Sequence, residues 1–182
     1  MAHVMGERLM LREYREDDFE SIRRWVNDPE TTRYLSQIFI RPHTALGTEK
    51  FLQGILSGQS SGYNFVIADR QTQEYCGQID IFHVDEISRC GEIGLVIAPW
   101  VWRRGYAREA LGLIERFAFE QINLNRLCLD VFAQNARARA AYRAAGFVEE
   151  GVRREHVYKD GRYHDLVCMG ILRSEWQAKN AR

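Results

Sequence analysis

Hydrophobic residues recur along the chain with two periods, and each stretch predicts an element. In Arg8-Leu9-Met10-Leu11-Arg12-Glu13-Tyr14, Leu9 and Leu11 alternate in the manner of a strand. Phe19, Ile22, Trp25 and Val26 then recur at helical spacing. That helix opens near Asp17 and closes at Asn27-Asp28-Pro29, because the residue before a proline disfavours the helical basin. A less regular helical stretch covers about Thr44 to Leu56, and Gly54, Gly58 and Gly62 with their serines mark a loop. Three strands follow, at Tyr63–Asp69, Tyr75–His83 and Arg89–Ile97, the last closed by Pro99. From Gly105 to Ile122 the period lengthens, and Ala107, Ala110, Leu111, Ile114, Phe117 and Ala118 share one helical face. Arg126–Phe132 alternates again. Asn135–Ala145 is a helix with Asn135 as N-cap and Gly146 just past its end. Asp160-Gly161 between two strand-like runs predicts a hairpin.

The predicted order is β-α-α-β-β-β-α-β-α-β-β. It fits a mixed α/β (α+β) fold, a twisted sheet of about seven strands with helices on its faces. No repeat or linker divides the 182 residues. One domain over residues 7–176 is expected, with 1–6 and 177–182 as termini and Met1–Val4 as an alternative start ahead of Met5. A chain of this length buries roughly 70% of its unfolded surface and needs no disulfide or metal staple.

The formal net charge is zero, which argues against a broad nucleic-acid surface. Cys76, Cys90, Cys128 and Cys168 form no C-x-x-C and have no histidine at zinc-ligand spacing. They are expected as buried apolar residues in strands, with no metal site, and reduced thiols suit the cytoplasm. The chain shows no signal-peptide apolar region and no run long enough for a membrane span.

Candidate chemistry concentrates where a strand ends at Pro99 and a long helix begins after Trp102-Arg103-Arg104-Gly105-Tyr106-Ala107. The first N–H groups of a helix have no internal partner, and the helix dipole favours an anion there. Gly105 admits a phosphate close to the backbone; Arg103, Arg104 and Arg108 add positive charge. A pyrophosphate is the kind of ligand this suits. The dinucleotide fingerprint G-x-G-x-x-G is absent.

This segment resembles the acetyl-CoA signature of the GCN5-related N-acetyltransferase (GNAT) superfamily: Gln or Arg, two residues, Gly, one residue, then Gly or Ala. Trp102 stands in the Gln/Arg place. With Gly-Tyr-Ala-x-Glu-Ala after it, the pattern is similar to the branch of ribosomal-protein N-terminal and spermidine acetyltransferases. Asn135, Tyr142 and Gly146-Phe147, and the ending Gly161–Gly170, extend the resemblance over Glu7 to Trp176.

The resemblance implies an acetyl-CoA cosubstrate and direct transfer of its acetyl group to a primary amine. It implies that Leu95, Val96 and Ile97 line the pantetheine arm. The N–H groups of Arg103, Arg104, Gly105, Tyr106 and Ala107 would hold the pyrophosphate, and Asn135 would face the cofactor. Tyr142 is the expected acid at the thioester sulfur. Glu92 is the expected base, directly or through water, and a Leu95 or Val96 N–H the oxyanion donor. A covalent acyl-enzyme is not expected.

Gly58-Gln59-Ser60-Ser61-Gly62 fits the G-x-S-x-G elbow of hydrolases, but it follows a helical stretch and precedes a strand, the wrong context for a nucleophile. A non-catalytic acetyl-CoA sensor is the competing class. The acceptor is expected to be a protein N-terminus or a small-molecule amine, with Asp28, Glu30 and Tyr34 as candidate contacts. A polyamine, amino sugar or aminoglycoside is the alternative, and the absence of acids from Arg33 to Leu46 weighs against a polyamine. A homodimer is compatible with the resemblance.

Overall fold

The computed structural model describes residues 3–181. Met1 and Ala2, at the alternative start, and Arg182 lie outside the described residues. Eight strands form one sheet: β1 (Val4–Met5), β2 (Leu9–Arg12), β3 (Tyr63–Asp69), β4 (Tyr75–Asp85), β5 (Cys90–Ile97), β6 (Arg126–Phe132), β7 (Val148–Lys159) and β8 (Arg162–Leu172). Their spatial order is β1-β2-β3-β4-β5-β6-β8-β7. The eighth strand, beyond the expected seven, is β1, whose two residues pair with Leu11 and Met10. Two residues are too few to display a period.

Every neighbouring pair is antiparallel except β5 with β6. That parallel pairing holds for Cys90↔Arg126, Gly91↔Leu127 and Glu92↔Cys128 and then stops. β5 continues along β4 to Ile97, while β6 continues along β8 to Phe132. The sheet therefore splays open beyond Glu92 in a V. Asp160 and Gly161 join β7 to β8 with φ of 52° and 79°, the pair of left-handed residues that a tight hairpin requires.

Six helices accompany the sheet: α1 (Asp18–Val26), α2 (Pro29–Thr32), α3 (Ala45–Leu56), α4 (Tyr106–Arg116), α5 (Ala136–Ala145) and α6 (Arg173–Asn180). Pro29 ends α1 as expected but also starts α2 at its first position, where its missing N–H costs nothing. The single helix expected over Gly105–Ile122 is α4 followed by a π-helical turn at Phe117–Gln121. Phe117, Ala118 and Phe119 are all fully buried. Three consecutive buried residues do not fit one 3.6-residue stripe, and the wider turn accommodates them.

Phe117 packs edge-on against Tyr63 and Phe65 of β3, with centroids 5.3 and 4.9 Å apart. Each such large side chain contributes roughly 1.5–3 kcal/mol by leaving water. α1 is anchored by buried Trp25, whose indole donates to Tyr75 Oη at 3.0 Å. A buried ion pair, Arg12–Asp18 at 2.7 Å, ties α1 to β2. The four cysteines all lie in strands, but only Cys76 is buried; Cys90, Cys128 and Cys168 are partly exposed, contrary to expectation. Among the described residues no three His, Cys, Asp or Glu side chains are arranged to hold a metal, and no helix is long and apolar enough to cross a membrane.

Asp80 on β4 keeps some solvent contact as a residue, yet its Oδ1 is sealed off with no partner. Burial pushes its pKa up to about 7. A folded pKa above the unfolded one means that its contribution is fully present below about pH 4 and is lost as pH rises through 7. Asp80→Asn should therefore gain stability over the wild type between about pH 5 and about pH 8.5. The gap should reach on the order of 2 kcal/mol, discounted for the residual exposure. Denaturant melts at the two pH values check this, and a constant gap would refute it.

Candidate active site

The loop between β5 and α4 is built to leave backbone N–H groups free. Arg103 and Gly105 adopt left-handed conformations, φ 64° and 77°, on either side of Arg104. The N–H groups of Gly105, Tyr106, Ala107 and Arg108 find no acceptor among the described residues. A Cβ on Gly105 would have only Arg8 Nη2 near it, at 3.7 Å. The space in front of the loop is thus open, as a cradle for an anionic group requires.

Arg8 holds this cradle from the β2 side. Its Nη1 donates to Arg104 O at 2.9 Å, and its Nε to Glu109 Oε2 at 2.9 Å. The guanidinium lies 5.1 Å from the Tyr106 ring centroid. Glu109, in the first turn of α4, also accepts from the N–H groups of Arg8 and Leu9 at 2.7 and 2.9 Å. These bonds hold its carboxyl below the usual range despite partial burial.

The cradle opens into a cavity of about 900 Å³ that enters the splay. Leu95, Val96, Ile97, Trp102, Arg103, Gly105, Tyr106, Ala107, Asn135, Arg137 and Tyr142 line it. So do Glu30, Arg33, Tyr34, Gln37, Glu92 and His156. The backbone of β5 is not equivalent along its length. Ala98 N–H donates to Cys76 O at 2.9 Å, and the register pairs Gln78 with Val96 and Asp80 with Gly94. Antiparallel bonding alternates, so Val96 is engaged by β4 while Leu95 and Ile97 present their N–H and C=O groups to the splay. Ile97 O accepts from Trp102 Nε1 at 2.7 Å. The Leu95 N–H is left facing the cavity.

Tyr142 is 9% exposed, and its hydroxyl has no hydrogen-bond partner among the described residues. Burial pushes its pKa up to about 12. Glu92 sits at the last paired position before the splay, and its Oε2 lies 3.1 Å from His83 Nδ1. Asn135 caps α5 by accepting from Ala138 N–H at 3.2 Å, which leaves its amide group free to donate. Arg137 stacks over Trp102, 4.6 Å from the ring centroid.

Residues 8–148 match the family model described as "Acetyltransferase (GNAT) domain". The chain belongs to the GNAT acetyltransferases. It is 28% identical to "Putative ribosomal N-acetyltransferase YdaF" of Bacillus subtilis (strain 168), an alignment that covers 84% of this chain and 91% of that protein. It is also 28% identical to the spermidine N(1)-acetyltransferase of Vibrio cholerae, over 94% of this chain and 97% of that protein. A crystal structure of spermidine N-acetyltransferase from Vibrio cholerae in complex with CoA and spermine superposes with a TM-score of 0.83 at 26% identity, covering 94% and 99% of the two chains.

Within this GNAT domain the structure brings most of the expected residues to one cavity. Two stand apart. Arg104 does not line it; the Arg104 carbonyl is the acceptor for Arg8. Asp28 does not line it either, because its carboxylate caps α2, accepting from Thr31 N–H at 2.9 Å and Thr31 Oγ1 at 2.5 Å. Those bonds lower its pKa. The loop Gly58–Gly62 lies between α3 and β3, as the pattern implied, with no helix after Ser60.

Arg8 and Arg137 escaped the sequence reading, since nothing local pairs them with the cradle. The same holds for Lys159, a buried lysine that donates to Thr32 O at 2.8 Å and Leu35 O at 3.3 Å. It thereby ties the β7–β8 hairpin to the segment that contributes Arg33 and Tyr34 to the cavity wall.

Proposed function

We propose that this acetyltransferase takes acetyl-CoA with its pyrophosphate on the α4 cradle and its thioester in the splay. The acetyl group passes directly to a primary amine that enters from the side of Glu30 and Tyr34. The observation that carries this reading is the single cavity, which joins the free N–H groups of α4 to Glu92, the Leu95 N–H and the Tyr142 hydroxyl.

The chemistry follows from these groups. Alkyl amines have pKa values near 10 and arrive protonated. Glu92 takes a proton from the amine nitrogen, directly or through water. As the nitrogen attacks the carbonyl carbon, the Leu95 N–H faces the developing oxyanion. Tyr142, kept protonated by its pKa of about 12, donates to the departing sulfur, and the second proton shed by the nitrogen as the intermediate collapses restores its hydroxyl. Cys128 and Cys76 are disfavoured as nucleophiles: burial pushes Cys128 up to about 12 and Cys76 to about 11, so their thiolates are scarce at neutral pH.

The acceptor is a protein N-terminus or a small-molecule primary amine. Likeness to the spermidine acetyltransferase of Vibrio cholerae supports a polyamine as the second reading. Glu30 in the cavity wall favours it, and Arg33 beside Glu30 opposes it. Pairing of two copies would use the free outer edge of β7.

Thiol release from acetyl-CoA, measured against polyamines, amino sugars and short peptides with free N-termini, tests the whole. One class should turn over. Glu92→Gln should lower kcat by roughly 10²-fold for that acceptor. Binding of acetyl-CoA without release for any amine would establish a sensor instead.

A further inference from the structure

A turnover that begins with an ammonium and ends with an amide and a free thiol releases one proton. Glu92 stands at the last paired position before the splay, in the wall of the cavity that both substrates would fill, so a proton it accepts leaves by the side of the carboxylate that faces away from them. His83 stands on that side. Its Nδ1 is 3.1 Å from Glu92 Oε2, and its side chain is 79% exposed against 32% for Glu92.

The backbone is bent to put it there. Phe82 pairs with Glu92. Successive side chains of a regular strand alternate between faces, so His83 would point away from the face that Phe82 and Glu92 share. The β4–β5 register slips between Phe82 and Asp85, and His83 adopts φ +48°. A non-glycine residue there costs about 1 kcal/mol or more. Bulges of this kind re-aim side chains beside active sites. The Phe82 ring meets the imidazole edge-on, 5.0 Å between centroids at 81°.

We infer that His83 is the proton exit of the active site. The proton taken from the amine nitrogen by Glu92 passes to His83 Nδ1, and the Nε2 proton of the imidazolium leaves to water. Both side chains then return to their starting charge, and exchange with water returns the imidazole to its Nε2–H tautomer. The neighbouring titratable groups on the sheet are otherwise engaged, and His156, in the same cavity wall, makes no hydrogen bond to Glu92 among the described residues. Cys128, opposite Glu92 on β6, has its thiol pushed up to about 12. Asp130 is held by Arg153 at 2.7 Å. Asp85 is engaged by Ile87 N–H, Ser88 N–H and Ser88 Oγ.

The inference rests on Glu92 as base, and the test separates the two. His83→Gln and His83→Ala are assayed by thiol release in dilute buffer, with and without added imidazole. In both, kcat should fall roughly tenfold, less than the full worth of a positioned proton-transfer group because water and buffer substitute in part. Added imidazole should restore most of the loss, and the KM for acetyl-CoA should stay put. Imidazole should rescue nothing once Glu92→Gln is combined with either change. Wild-type turnover in either variant, or a loss that imidazole does not restore, overturns the proton exit. Wild-type turnover in Glu92→Gln alone overturns the base instead.

Discussion

Tyr142→Phe is expected to lower kcat by about 10²- to 10³-fold while leaving acetyl-CoA affinity within about twofold, the pattern for loss of an interaction made only in the transition state. The change removes a hydroxyl that makes no hydrogen bond to a described residue, so no buried group is left unpaired and the fold should melt as before. The ring stays packed against Phe147, 5.9 Å between centroids. With a pKa of about 12 against roughly 8.5 for a free thiol, the hydroxyl is a weak acid but a permanent donor. It serves by hydrogen-bonding the charge that builds on sulfur as the C–S bond breaks, and the proton crosses late. An acceptor-independent fall in kcat is therefore expected, with no new pH limb below about pH 10. Steady-state thiol release with a calorimetric Kd for CoA checks it, and unchanged kcat would remove Tyr142 from the chemistry.

What the amino-acid pattern disclosed was local. The strand that stops at Pro99, the glycine and the helix that follows are contiguous, and the left-handed Gly105 and free N–H groups appear where that pattern put them. Asp160-Gly161 behaved likewise. The GNAT resemblance supplied Leu95, Val96 and Ile97 as the lining of the pantetheine arm; the splay itself no periodicity reveals, because it arises from two strands keeping different partners beyond Glu92. The choice between the Leu95 and Val96 N–H stayed open because it depends on register parity, set by the bond from Ala98 N–H to Cys76 O. Asp28 misled for a chemical reason: an acid before a helix is equally suited to cap it or to meet a cation, and Thr31 claims it. Arg8 reaches Arg104 across 96 residues of chain, a separation at which side-chain type carries no signal.

Gly77 shows how tightly that hidden register is drawn, and Gly77→Ala is the second large effect expected. Its φ is 151°, a region L side chains rarely adopt, and an added Cβ would lie 2.2 Å from Val96 O and 3.1 Å from Ile97 Cα. Both obstacles are backbone, so no rotamer change relieves them. The methyl must push β5 off β4 by about 1 Å to reach an ordinary contact, and the conformational cost adds about 1–3 kcal/mol. A total of about 3 kcal/mol corresponds to a fall in Tm of roughly 6–12 °C for a domain of this length. The displacement falls at the Gln78–Val96 pair, whose bonds aim the Leu95 N–H into the splay. A shift of about 1 Å in a catalytic group can cost about 10²-fold, so kcat should drop even at temperatures where the variant is fully folded. Thermal melts paired with thiol release well below the variant's Tm separate the two losses. A variant that melts lower but turns over normally would mean that β5 moves as a unit and keeps its aim. One that melts like the wild type would mean that the β4–β5 contact at Gly77 is looser than its geometry implies.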